Sequence, residues 1–239
     1  MIGKGILDGD PGLDRARARI ERRLARSLLA ALGMSEKAVV RAARSQKLGI
    51  VSDVDLWNKV YLWLFGAMLP SVEDAAMLGM EMTAAQVGIG VDWTLVNIDA
   101  VEWARHHCGD LVTKIDERTK LALQQHITSW MESGEPLPKL TERLERAKLF
   151  GRQRADLIAS TEVTNAFAEG QLQAAAKAGM DVIPPRERPA KHPRCRCWLT
   201  MRKREDGRWV WVWQTVAMFG EGPGSVCPIC EPLHGQDMV

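Results

Sequence analysis

Four cysteines near the end of the printed sequence form two pairs whose spacing is typical of metal ligands. Cys195 and Cys197 form a Cys-x-Cys pair in H-P-R-C-R-C, and Cys227 and Cys230 form a Cys-x-x-Cys pair in C-P-I-C. A Cys-x-x-Cys turn places two sulfur atoms within reach of one ion, and a second pair completes the tetrahedron that Zn²⁺ prefers. His192 lies beside the first pair and is an alternate ligand. These residues predict a structural zinc site.

The same cysteines allow two other chemical states. The first ten residues, M-I-G-K-G-I-L-D-G-D, lack the apolar core of a secretion signal, so we expect synthesis in the cytoplasm. Thiols stay reduced there, which favours metal over a disulfide. Reduced thiols without metal, and a disulfide formed after release from the cell, are the alternatives. A catalytic zinc is not expected, because the ligands are thiols and no H-E-x-x-H pattern supplies a base.

An arginine-rich segment near the start of the sequence has the charge to contact phosphate groups. Six arginines lie between Arg15 and Arg26, and acidic residues offset only part of their charge. Lysine and arginine side chains at such density neutralise the phosphates of nucleic acids. No aromatic residue is interleaved with them, so base stacking is not expected, and a solvated helix face or an acidic protein partner is the alternative. The predicted contact residues are Arg15, Arg19, Arg22, Arg23 and Arg26.

A group of polar side chains interrupts an alanine-rich helical segment that ends at Gly179. It lies in R-A-D-L-I-A-S-T-E-V-T-N-A-F-A-E-G, and Glu162 is its acidic member. Arg154 precedes Glu162 by about two helical turns, so both side chains can face the same side. The group is either a catalytic site that uses Glu162 or a buried polar network that fixes the register of the helix. We expect the network.

Helical periodicity dominates the chain up to Gly179. Apolar residues recur at steps of three or four, with polar residues between them. Gly33 and Pro70 lie between periodic segments, and we expect each to end a helix, because glycine favours C-terminal caps and proline lacks a backbone N–H. The predicted helices cover residues 14–33, 35–43, 53–69 and 71–88, one or two segments within 91–133, and then 140–150 and 154–179.

The composition changes after Met180. Three prolines form a stiff linker, and the residues around E-D-G-R predict a β-hairpin with strands over 197–201 and 208–215. Trp209, Trp211 and Trp213 alternate with valines, so their three indole rings should share one face of the second strand.

The whole pattern predicts a mainly α (α+β) protein, a helical body with a small C-terminal Cys-rich β-hairpin subdomain. We divide it into residues 1–90 with the Arg-rich first helix, residues 91–180 as a helical core, and residues 181–239 as the proline linker and hairpin. The 239 residues are 46% apolar and carry a net charge of +2, so there is no overall polyelectrolyte character. Apolar stretches are too short to cross a bilayer, and no membrane partner is expected.

Several stretches from Val91 onward resemble one protein family. They read V-D-W-T-L-V-N-I-D-A-V-E-W-A, D-L-V-T-K-I-D-E-R-T, I-T-S-W-M-E-S-G-E-P-L, R-A-D-L-I-A-S-T-E-V-T, H-P-R-C-R-C and C-P-I-C-x-x-L-H-G. This ordered set resembles the phage Mu F-like minor head proteins, the head morphogenesis family of tailed bacteriophages. In that family the C-P-x-C piece usually precedes H-P-x-C-R-C, whereas here the order is reversed.

The resemblance implies a structural protein of the virion and not an enzyme. Members of the family are low-copy proteins of the portal vertex that assist head assembly and, in some cases, DNA packaging or ejection. We therefore expect the portal protein or the major capsid protein as partner, packaged DNA as a further contact, and multiple copies in the phage head. Two rival functions are a zinc-binding nucleic-acid module and a phage-associated enzyme or toxin that uses Glu162.

Overall fold

Helices make up most of the computed structural model, which describes residues 11–45, 48–87, 93–180, 197–205, 207–214, 230–233 and 235–236. The mainly α class is confirmed, and so is the small β-hairpin after the helices. Within the described ranges the helices are α1 (Pro11–Arg44), α2 (Val54–Val87), α3 (Trp93–Ser133), α4 (Leu137–Arg146) and α5 (Arg152–Lys177). The strands are β1 (Trp198–Lys203) and β2 (Trp209–Gln214), and short 3₁₀ turns cover Leu48–Ser52 and Glu231–Leu233.

Helix α1 passes through Gly33, so the predicted stop at this residue was wrong. A Cβ atom at Gly33 would meet nothing within 4 Å, which leaves an ordinary helical glycine. Such a glycine costs about 1 kcal/mol relative to alanine. Leu32 and Val39 are buried on either side of it, and burial of each large apolar side chain contributes about 1.5–3 kcal/mol. Packing therefore overrides the local signal.

Helix α2 passes through Pro70, where a helix end was also wrongly predicted. Proline has no backbone N–H, so the carbonyl of Gly66 loses its helical partner. Gly66 and Pro70 are both exposed, and water can solvate the vacated carbonyl. Met68 and Val72 are fully buried on the other face, which holds the residues before and after the proline in one helix.

The chain divides into two compact units, each assembled from separate stretches of sequence. The first unit takes residues 1–22, 71–104 and 159–239, and the second takes residues 23–70 and 105–158. The boundary at residue 180 followed the change in composition, and the boundary at residue 90 followed the start of the family resemblance. This division into three regions stays a prediction.

In the first unit, the backbones of α2 and α5 touch at two glycines. A Cβ atom at Gly79 would lie 2.0 Å from the carbonyl oxygen of Phe167, and one at Gly170 would lie 1.9 Å from the carbonyl oxygen of Ala76. Real Cβ atoms essentially never approach so closely. Only glycine therefore permits this crossing, which sets the position of α5 and of the polar group that it carries.

The hairpin has the predicted antiparallel pairing. Trp198 pairs with Gln214 and Lys203 pairs with Trp209. The two indoles at Trp211 and Trp213 are buried on one face, as the alternation predicted. The short segment after Cys230 joins this hairpin, because the N–H of Trp213 donates to the carbonyl of Gln236 at 3.2 Å and the N–H of Gly235 donates to the carbonyl of Trp213 at 2.9 Å.

No helix in the described ranges combines the length and apolar character that a membrane crossing requires.

Candidate functional site

The hairpin brings one cysteine of each pair into the same buried cluster. Cys197 immediately precedes β1, and Cys230 lies beside the last 3₁₀ turn; each is 2% exposed. Both pack in one hydrophobic cluster with Ala175, Trp211 and Trp213. The backbone hydrogen bonds between β2 and residues 235–236 explain this meeting, because they hold the segment that follows Cys230 against the strand.

The remaining predicted metal ligands, Cys195, Cys227 and His192, lie outside the described residues. Within the described part of the chain, no group of three or more His, Cys, Asp or Glu side chains is arranged to hold a metal ion. The described cysteines, which include Cys108 in the second unit, are buried thiols and not disulfides. The zinc site therefore stays a prediction.

Two buried indole N–H groups share the cluster of Cys197 and Cys230. The indole N–H groups of Trp211 and Trp213 are buried and have no hydrogen-bond acceptor among the residues that the structure describes. A thiolate sulfur accepts such hydrogen bonds, and the groups that donate to metal ligands tune the affinity of a site. The cluster contains two sulfur atoms, which are two of the four ligands that zinc takes, together with two orphaned donors.

The arginines of α1 have different environments. In the first unit Arg15, Arg19 and Arg22 are exposed, but Arg17 is buried. The guanidinium of Arg17 donates to Thr164 Oγ1 at 3.3 Å and lies 4.8 Å from the centre of the Phe167 ring. Arg17 therefore belongs to the core and is removed from the six arginines first considered as phosphate contacts.

Two predicted contact arginines belong to the second unit. Arg26 is exposed, whereas Arg23 is half-buried and donates to the carbonyl of Pro70 at 3.2 Å. Because its guanidinium already serves a backbone carbonyl, Arg23 is less available for a phosphate than Arg26 is.

The polar group of α5 is buried in the first unit. Glu162 is 6% exposed, and the side-chain nitrogen of Asn165 lies 3.4 Å from both of its carboxylate oxygens. Thr164 Oγ1 donates to the carbonyl of Ser160 at 2.8 Å and accepts from Arg17. These contacts fit a network that fixes a helix, because buried polar groups hold their neighbours in register when they are hydrogen-bonded.

Arg154 belongs to the second unit, where it serves a different set of contacts. Its guanidinium donates to the carbonyls of Leu149 at 2.5 Å and Ile115 at 3.3 Å. Burial lowers the pKa of this guanidinium, and the nearby Arg118 lowers it further, while Asp116 acts in the opposite direction.

A buried carboxyl in α3 was missed by the sequence reasoning. Asp116 is 6% exposed, and its Oδ1 has no hydrogen-bond donor among the described residues. Burial raises its pKa from 3.8 to about 6, although Lys120 and Arg154 act to lower it. In sequence Asp116 and Lys120 are spaced as an ordinary exposed ion pair on a helix, so no local signal marks the burial.

A surface cavity of about 450 Å³ lies in the second unit. Val40 forms its apolar part, and the lining residues Arg44 and Glu145 form an ion pair at 3.3 Å. Its lining also contains further positively charged side chains and one further carboxylate. Because both signs of charge are present, the cavity does not select between a cationic and an anionic ligand. Its charged lining is Glu36, Lys37, Arg41, Arg44 and Glu145.

Searches against models of protein families, curated proteins and solved structures found no match to this chain. Function must therefore be inferred from the residues of the chain itself.

Proposed function

We propose that this chain is a minor head protein of a tailed bacteriophage that binds at the portal vertex. The observation that carries the proposal is the ordered set of segments that resemble the Mu F-like family. Residues 91–104, 110–119 and 127–137 fall mainly on α3, and residues 154–164 fall on α5. The cysteine pieces flank the hairpin that follows.

The side chains of the R-A-D-L-I-A-S-T-E-V-T segment support a structural role. Ala155, Ala159 and Val163 recur at helical spacing and are buried, and Glu162 and Thr164 lie in the buried polar network. Packing and internal hydrogen bonds account for these side chains without a substrate. We therefore assign the chain to binding and assembly, with the helical body docking on the portal or the inner capsid surface.

The test is co-expression with the portal protein encoded in the same phage genome, followed by affinity pull-down and sizing. We expect stoichiometric co-elution with the portal ring. A portal protein from an unrelated phage is the matched control and should not be retained. A folded and monodisperse chain that leaves its own portal ring unbound would contradict the proposal.

A second candidate function is contact with packaged DNA. It is favoured by Arg15, Arg19 and Arg22, which are exposed and spaced at i, i+4 and i+7 on one face of α1 in the first unit. In a plot of the logarithm of the DNA-binding constant against the logarithm of the salt concentration, each phosphate contact contributes about −0.9 to the slope. Replacing the three arginines with glutamine should flatten the slope, whereas Arg146→Gln, an exposed arginine of α4, should not. Binding without salt dependence would exclude this candidate.

A further inference from the structure

The indole N–H groups of Trp211 and Trp213 need an acceptor that the described residues do not supply. Both indoles are almost completely buried, and neither Nε1 has a hydrogen-bond partner in the described part of the protein. Buried polar groups are nearly always hydrogen-bonded, so an orphaned donor in a native core indicates a missing partner. Two such donors lie in one cluster.

The chemistry of that cluster limits what the acceptor can be. The buried members besides the tryptophans are Ala175, Cys197 and Cys230, and the partly buried residues against them are mostly apolar. A neutral thiol is a weak acceptor, whereas a thiolate is a strong one. A buried thiolate without a counter-charge is unfavourable, and a bound cation removes that penalty.

The backbone brings the two tryptophans and the two cysteines into one cluster before any ion binds. The two tryptophans are two residues apart on β2, so their side chains leave the same face. Cys197 immediately precedes β1, whose register with β2 pairs Leu199 with Trp213. The main chain of Trp213 is also bonded to residues 235–236, which follow Cys230 by a few positions.

We propose that Trp211 and Trp213 are positioning residues for a thiolate-bound divalent cation of the zinc class, and donate their indole N–H groups to the sulfur atoms of Cys197 and Cys230. On loading, each thiol releases its proton to the solvent and its sulfur bonds to the cation. The two indoles then stabilise the negative charge that remains on the sulfur atoms. This proposal rests on the predicted metal site and not on portal binding. A negative result for one therefore does not contradict the other.

The first test uses Co²⁺ as a spectroscopic probe on the reduced full-length chain, followed by competition with Zn²⁺. We expect the sulfur-to-cobalt charge-transfer band in the wild-type chain. Trp211→Phe and Trp213→Phe should retain the band but bind roughly 10- to 100-fold more weakly, which is the usual effect of removing a group that supports a metal ligand. Trp209→Phe is the matched control, because Trp209 is a partly buried member of the same face.

The second test follows the indole ¹H–¹⁵N resonances of the wild-type chain with and without Zn²⁺. The resonances of Trp211 and Trp213 should move on loading more than that of Trp209. Resonances that stay in place would overturn the proposal even if the phenylalanine variants fail to fold. Equal affinities of all three variants, or a folded chain without the charge-transfer band, would overturn it as well.

Discussion

Adding one methyl group at the crossing of α2 and α5 should strongly destabilise the first unit. In Gly170→Ala the new Cβ would lie 1.9 Å from the carbonyl oxygen of Ala76, and in Gly79→Ala it would lie 2.0 Å from that of Phe167. The obstacle in each case is helical backbone, which cannot rotate away as a side chain can. One helix must therefore move until the contact reaches about 3.4 Å, where ordinary van der Waals distances begin.

The expected magnitude follows from two opposing effects. Overpacking of a core usually costs 1–3 kcal/mol, and a clash with backbone belongs at the upper end, at about 3 kcal/mol. Alanine regains about 1 kcal/mol of helix propensity over glycine. We therefore expect each variant to lose about 2 kcal/mol of unfolding free energy. The side chain of Phe167, which is fully buried at this crossing, would lose contacts as well.

Two other helical glycines provide matched controls. A Cβ atom at Gly33 or Gly66 would meet nothing within 4 Å. Alanine at these positions adds helix propensity without a clash, so each control should gain about 0.5–1 kcal/mol. The same chemical change thus has opposite signs at the two pairs of positions.

The double variant tests whether the two glycines act at one contact. A separation of the helices that accommodates the methyl at Gly170 also makes room for one at Gly79. The double variant should therefore lose less than the sum of the single losses, as mutations at a shared contact do. Losses that simply add would mean that the two methyl groups are accommodated independently.

Urea unfolding followed by far-ultraviolet circular dichroism and tryptophan fluorescence measures these differences. Trp57, Trp63 and Trp130 belong to the second unit and the other six tryptophans to the first, so fluorescence after replacement of these three with phenylalanine reports on the unit that contains the crossing. An unfolding free energy of Gly170→Ala equal to or above that of the wild-type chain would refute the reasoning.

Three further predictions concern titration, the polar network and the metal. Because the pKa of Asp116 is raised to about 6, folding favours its protonated form, and its contribution to stability is lost as pH rises through about 6. The loss is roughly 3 kcal/mol at most. In urea unfolding, the unfolding free energy of Asp116→Asn should therefore decline less between pH 4 and 8 than that of the exposed control Asp110→Asn. Equal declines in the two variants would contradict this prediction. Glu162→Gln should lower the unfolding free energy by about 1–2 kcal/mol in thermal or urea unfolding; an unchanged stability with loss of an activity would favour the enzyme alternative. Cys230→Ser should abolish the difference in melting temperature between zinc-loaded and chelator-treated protein, whereas Cys108→Ser should keep it, and a wild-type chain without that difference would argue against bound metal.

The sequence predicted the classes of the elements better than their ends. The apolar periodicity identified the helices, and the alternating tryptophans identified the hairpin. The predictions failed at Gly33 and Pro70, because a local stop signal is worth about 1–3 kcal/mol and burial of neighbours such as Leu32 and Met68 exceeds it. Such burial depends on residues far away in sequence, and local patterns do not contain it.

Part of the candidate site was also predictable. Cysteine spacing and the intervening hairpin led to the expectation that the two pairs meet, and the structure places Cys197 and Cys230 in one cluster. The roles of Arg17 and Asp116 were not predictable. Arg17 has the same local pattern as its exposed neighbours, and only the position of α5 beside it in the first unit makes it a core residue.

The attachment of residues 235–236 to β2 has a consequence for association between copies of the chain. A two-stranded sheet leaves strand edges whose unpaired N–H and carbonyl groups are templates for strands of other molecules. At Trp213 both groups are already occupied, by Gln236 and Gly235. In a protein proposed to work in several copies, this edge is thus covered at Trp213, and removal of that cover should promote association through the hairpin.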